Sequence, residues 1–304
     1  MYSAYVPWPS YSRVLAIEHT GPYNIGRRLR FAWVMLRSRA LLRKVEQAIA
    51  LCPWILPALH RHPNLLSPLT SGFLRSRNSL RQRFEWFSHD LKFTVPRIWR
   101  QWPRFFHGEL GTALWQDELK GYRVDLTLNV AHPREGLWQL SLRTPGHAQL
   151  FSLRFSVLPG PVVFIGAVQG ACQSEFASVP ELIRDATRDL HGLRPPFLLF
   201  EVLRALAQGW RIERIEGVAT ESHVKYRRGK RSSNIQFSYD QYFRELGAER
   251  TPEGNWRVST RAPERTLADV PSRKRAMYRR RFELLQNVRA SAGFRLSPHQ
   301  SPGS

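Results

Sequence analysis

Three short strings in this 304-residue chain combine side chains able to do chemistry. In His132-Pro133-Arg134-Glu135-Gly136 an imidazole and a carboxylate stand three residues apart, a set that offers His132 as a general base with Glu135 as its orienting partner. A tight polar turn held by an Arg134–Glu135 pair is the alternative. Ser222-His223 follows a strand-like run and Asp240 stands downstream. His223 with Asp240 is thus a second candidate acid–base pair, against a structural histidine at a strand end. The third string is His191-Gly192-Leu193-Arg194, with Arg188 ahead of it, placed where one helical pattern stops and another starts. A helix start presents free N–H groups and the positive end of the dipole, and arginine forks suit phosphate. Arg188, His191, Gly192 and Arg194 are therefore candidates for holding a phosphate or pyrophosphate, although Pro195 and Pro196 remove two donors. The alternative is a plain helix–helix turn with Arg194 bonded to a carbonyl.

Metal chemistry finds no support. The ten histidines show neither H-E-x-x-H nor His/Cys spacing. Two cysteines, Cys52 and Cys172, are too few for a disulfide framework. Ser152 and Ser156 read as the polar face of a strand.

The charge narrows the partners. Lys and Arg number 46 against 24 Asp and Glu, a net charge of +22. Residues 1–120 and 223–304 each carry +11, and residues 121–222 are neutral. Such a chain is attracted to polyanions: nucleic acid, anionic lipid headgroups or a lipopolysaccharide precursor. Forty of the cations are Arg, which suits phosphate but equally follows from coding bias. Arg273-Lys274-Arg275 and Arg279-Arg280-Arg281 straddle Tyr278 and form a candidate anion-binding surface, or a solvated face. No helix-turn-helix, zinc finger or aromatic RNA-binding motif selects nucleic acid.

The elements that must position these groups follow from hydrophobic period. Leu41, Val45, Ala48 and Ile49 predict a basic amphipathic helix, a second helix is expected at about 79–93, and residues 60–68 read as a Pro-rich connector. Residues 122–130, 138–143 and 151–157 alternate apolar and polar, which predicts three half-buried strands, the last two joined by a Pro145-Gly146 turn. Residues 162–168 are apolar throughout and suit a central strand. Ser178 and Glu181 have capping-box spacing before a helix at 182–190. A helix at 196–208, a strand at 214–220, a helix at 239–246 and an edge strand at 256–259 follow. A helix over 273–281 precedes a tail, 291–304, expected to be disordered. The fold class is α+β: a mixed, mostly antiparallel sheet with a helical crossover, residues 121–290, preceded by a mostly helical basic region, residues 1–120. No apolar run is long enough to span a bilayer and residues 1–11 show no export signal. The location expected is cytoplasmic, with a peripheral position on the inner membrane open to so basic a chain.

The element order resembles the acetyltransferase-like (GNAT) fold, and Tyr242-Phe243-Arg244-Glu245-Leu246-Gly247 resembles the stretch that closes its last helix. In that fold the pyrophosphate of acyl-CoA binds where Gly192 and Arg194 stand here, which implies an acyltransferase-like enzyme. Further strings are more specific: HPREG from His132, LFSLRFS from Leu150, IGAVQG from Ile165, ATRDLHGLRP from Ala186, SHV from Ser222, YDQYFRELGA from Tyr239 and PSRKRAMYRRRFELL from Pro271. In this order they resemble the VirK/YbjX family of bacterial proteins over about residues 80–290, departing after His223, where Lys225-Tyr226 stands near an expected Tyr-Arg. The resemblance implies a setting of envelope stress, antimicrobial-peptide tolerance, virulence and DNA damage. It implies no particular reaction.

Overall fold

The computed structural model describes residues 33–34, 36–103, 105–106, 111–171, 178–226, 237–262 and 266–294. Residues 1–11, 172 and 295–304, read above from sequence, lie outside them. In the N-terminal region α1 (Arg39–Leu51) buries Val45, Ala48 and Ile49, the expected stripe. Two short helices, α2 (Leu56–Arg61) and α3 (Ser67–Thr70), occupy the stretch read as a connector. Each carries Pro in its first turn, where a missing N–H costs nothing. Ser79 then starts α4 (Leu80–Gln101) with a reciprocal cap: its hydroxyl accepts from the Gln82 N–H, and the Gln82 side chain accepts from the Ser79 N–H. The helix outruns the expected end at 93 because Thr94, Val95 and Ile98 continue its buried face past Pro96.

One eight-stranded sheet carries the rest. Its strands are β1 (Gly111–Gln116), β2 (Arg123–Leu128), β3 (Trp138–Arg143), β4 (Gln149–Leu158), β5 (Val162–Gly170), β6 (Arg214–Gly217), β7 (Glu249–Arg250) and β8 (Trp256–Val258). They lie in the order β1-β2-β3-β4-β5-β6-β8-β7. Only β5 and β6 are parallel, joined through α5 (Val179–Asp189) and α6 (Pro195–Gly209). The fold is thus α+β with a mostly antiparallel sheet, as the periodicity predicts. The sheet begins earlier than the boundary at 120, since β1 pairs with β2. The strand expected at the edge, β8, is internal, and the edge is the two-residue β7, too short to show a period. Ser178 stands at the start of α5 but makes no side-chain cap. After α7 (Tyr239–Glu245), α8 (Arg275–Phe294) runs into the segment expected to be disordered. It is held there by Val288 and Ala292, both fully buried.

A single hydrophobic cluster links α1 to α8 through the sheet. Leu140 and Trp138 face Leu153 and Phe155 across β3 and β4. The opposite face holds Gln139, Ser141, Ser152 and Arg154, and three of these are buried although polar. Between Arg154↔Ala167 and Phe155↔Ile165 the register slips, leaving Gly166 as a bulge in β5.

Candidate functional site

The expected anion site lies at the α5–α6 link. His191 and Gly192 both adopt left-handed backbone, with φ of 54° and 77°. The Gly192 N–H returns to the Thr187 carbonyl at 2.7 Å and ends α5. A Cβ at Gly192 would meet the Arg281 guanidinium, so glycine is required there on two counts. Arg281 reaches this link from α8, donating from Nε and Nη2 to the His191 carbonyl at 3.0 and 2.9 Å. Beside the link is a groove of about 660 Å³, with Arg184, Arg188, Arg194 and Arg280 around Ile183, Ala276 and Met277. Its walls are α5 and α8, whereas the sequence reading placed it between the strands 162–168 and 214–220. The sheet side is taken by α6, buried over nearly its whole length. Arg188 pairs with Asp185 at 2.8 Å. Arg194 pairs with Glu245, not with a carbonyl, and lies over the Phe197 ring. Arg184 and Arg280 have no acidic partner among the described residues. Two free guanidinium forks above an apolar floor suit an anion that carries an apolar body.

The second gathering is built by the turn at Pro133–Glu135. Asn129 staples it: its amide nitrogen donates to the His132 and Gly136 carbonyls, both at 2.7 Å, and its oxygen accepts from the His132 N–H at 3.1 Å. The turn lies directly against the β5 bulge. A Cβ on Gly166 would overlap the Glu135 carbonyl, so only glycine lets the backbones approach. Glu135 is thereby buried, but its partner is not Arg134, which donates instead to the Gly72 carbonyl at 3.1 Å. Glu135 pairs with Arg154 from β4 and with Lys225, whose Nζ is 2.7 Å away. Burial raises the Glu135 carboxyl, but Arg154 and then Lys225 more than offset this and hold it at about 2. Arg154 is fixed by Gln139 at 2.9 Å and Gln169 at 3.1 Å. His223 stacks on Tyr239, with ring centroids 5.2 Å apart. Burial pushes the His223 imidazole down to about 4. His132 also feels the charges of Arg154, Glu135 and Lys225.

The structure thus brings His132, Glu135 and His223 together and leaves Asp240 elsewhere. Asp240 accepts from the Trp256 indole at 2.7 Å and faces Arg250 at 3.6 Å. Tyr239, the first residue of α7, takes the place beside His223 expected for Asp240. Sequence reading missed Arg154, Gln169 and Tyr239. A polar residue on an alternating strand reads as solvated, and only the buried state of that face corrects it. Of the six basic residues on the last segment, Arg281 and Arg275 are spent on the His191 and Val270 carbonyls, while Arg273, Lys274, Arg279 and Arg280 are exposed. No helix among the described residues is long and apolar enough to cross a membrane.

Comparison with known proteins bears on this chain as a whole. The family described as "Protein of unknown function (DUF535)" matches residues 21–293. A Haemophilus influenzae protein named "Uncharacterized protein" is 26% identical over 92% of both chains. "Membrane protein LapB" of Mannheimia haemolytica is 28% identical over 66% of this chain and 85% of its own. "Uncharacterized protein YbjX" of Escherichia coli is 27% identical over 55% of this chain and 51% of its own. No solved structure matches. The family match covers most of the chain and contains both gatherings of residues, so the chain belongs to the DUF535, or VirK/YbjX, family.

Proposed function

We propose that this protein is an acyltransferase-like member of its family whose α5–α8 groove holds a phosphorylated donor of the acyl-CoA class. The observation that carries the reading is that Arg184 and Arg280, which have no acidic partner among the described residues, line one groove with Ile183 and Met277. The phosphates of such a donor would take the arginines and its apolar arm the floor. Two features of the sheet support the GNAT-like comparison: one parallel pair, β5–β6, after a helical crossover, and a bulge at Gly166 in the strand that leads to it. His132 and His223 would then serve the acceptor. Glu135 is a poor base, since two cations hold it ionised, and its role would be to fix Arg154 and Lys225. Membership of the family supports a setting of envelope stress, peptide tolerance, virulence and DNA damage for this chain. The test is calorimetry with coenzyme A and acyl-CoA. Saturable binding by the wild type should weaken about tenfold in Arg280→Ala, the loss of one charged hydrogen-bonded contact. Absence of heat from both proteins would contradict it.

A second reading is favoured by the exposed Arg273, Lys274 and Arg279, which have no acidic partner among the described residues. Here the chain is a non-catalytic protein bound to anionic lipid headgroups or nucleic acid, peripheral to the inner membrane in the first case. Titration with anionic vesicles and with duplex DNA belongs to the same experiment: binding that falls steeply with salt selects this reading.

A further inference from the structure

Independently of the groove, the polar side of the sheet around Glu135 carries a surplus of hydrogen-bond donors. His223 is 2% exposed. Its Nδ1 accepts from the Lys225 N–H at 3.2 Å, so in the neutral ring the proton is on Nε2. That Nε2–H is buried and finds no acceptor. A buried donor left unmade loses its hydration and gains nothing in return, and native structures keep few of them. The ring itself is held in place by stacking on Tyr239, whose hydroxyl is 3.4 Å from both the N–H and the carbonyl of Val168. The orphan is therefore a fixed feature of a packed site.

The charge balance points the same way. Arg154 and Lys225 both pair with one carboxylate, Glu135, which leaves one positive charge in excess. Arg154 is buried to 5% exposure and spends its other bonds on the neutral Gln139 and Gln169. Ser152 lies on the same sheet face as Arg154, two residues along β4, and its buried hydroxyl has no partner either. An opening of about 760 Å³ flanks the 223–225 segment, lined by Arg75, Ser76, Arg77, Ser222 and Tyr226 and, on the same rim, by the carboxylates of Glu221 and Glu253. The orphan His223 Nε2–H calls for an acceptor and the excess ammonium of Lys225, 40% exposed at its side chain, for an anion, while the Ser152 hydroxyl can meet either kind of partner.

We propose that this face is a second binding site, for a compact oxyanion such as a carboxylate or phosphate group, taken by the His223 Nε2–H and the Lys225 ammonium beside Arg154. The site neutralises the surplus charge and supplies the acceptor that His223 lacks. A cation is excluded from it by the donors themselves.

Nitrogen NMR of the histidine-labelled full chain reads the site directly. Titration with sodium acetate and, separately, inorganic phosphate should shift the His223 Nε2 resonance saturably at millimolar concentration. A response to acetate alone assigns a carboxylate, and a response to phosphate alone assigns a phosphate group. Arg280→Ala, which alters only the groove, should leave the shift unchanged, so this site and the donor site can fail separately. Lys225 is 40% exposed at its side chain, and Lys225→Met is expected to fold and to weaken binding about tenfold. No shift with either anion, or undiminished binding by Lys225→Met, overturns the proposal.

Discussion

His223 shows what a single buried ring contributes. Its pKa lies at about 4, against an ordinary 6.5, because burial and then Lys225 outweigh the pull of Glu135. For a base whose folded value is lowered, stability is full above pH 6.5 and is lost as pH falls toward 4, since the unfolded chain binds the proton more tightly. By pH 4.5 this amounts to about 2 kcal/mol. Denaturant unfolding at pH 7 and 4.5 should show the wild type losing that much more than His223→Phe, which keeps an aromatic ring against Tyr239. Equal losses would show that His223 is not held neutral. Residue identities at this scale were partly legible from sequence. HPREG and SHV marked His132, Glu135 and His223, but not the partners that give them a role. Arg134 looked like the mate of Glu135 because it is adjacent. The actual mates, Arg154 and Lys225, are brought in by strand pairing and by the chain beyond β6, contacts that no local spacing encodes.

Among the elements, α8 has most to do with the groove, and polar contacts on its inner side hold it in place. Arg289 reaches Glu201 at 3.1 Å, and Glu201 also pairs with the buried Arg204. The Trp115 indole donates to Asn287 at 2.9 Å. Removing Glu201 would strand Arg204 inside α6 without a counter-charge, which costs about 3–5 kcal/mol. Thermal unfolding of Glu201→Ala should show a large loss. A change near zero would mean that the triad does not anchor α8. Period-based reading recovered most of these elements: α1 and α6 expose a clean stripe, β2–β4 a clean alternation, and β5 an unbroken apolar run. It failed where length or cause is non-local: β1 and β7 are edge strands with little pattern, and α8 is extended by packing against α6.

Across the whole molecule, a charge of +22 surrounds one continuous core, and its two basic flanks are structurally different. On α1 and α4 cations outnumber acids by five, and the apolar faces of these two helices are already committed to each other. Along α8 the arginines divide: Arg275 and Arg281 are spent on carbonyls, while Arg280 lines the groove with no acidic partner among the described residues. Composition showed the charge, but only the fold separates cations that hold α8 in place from cations that can meet a ligand. Ligand binding at the groove turns on that separation. Hydrogen exchange, followed by mass spectrometry with and without acyl-CoA, tests it most directly. Protection is expected in two stretches distant in sequence, residues 183–194 and 276–281, while the amides of β2 and β3 stay unchanged. Unaltered exchange in both stretches at saturating acyl-CoA would contradict the account.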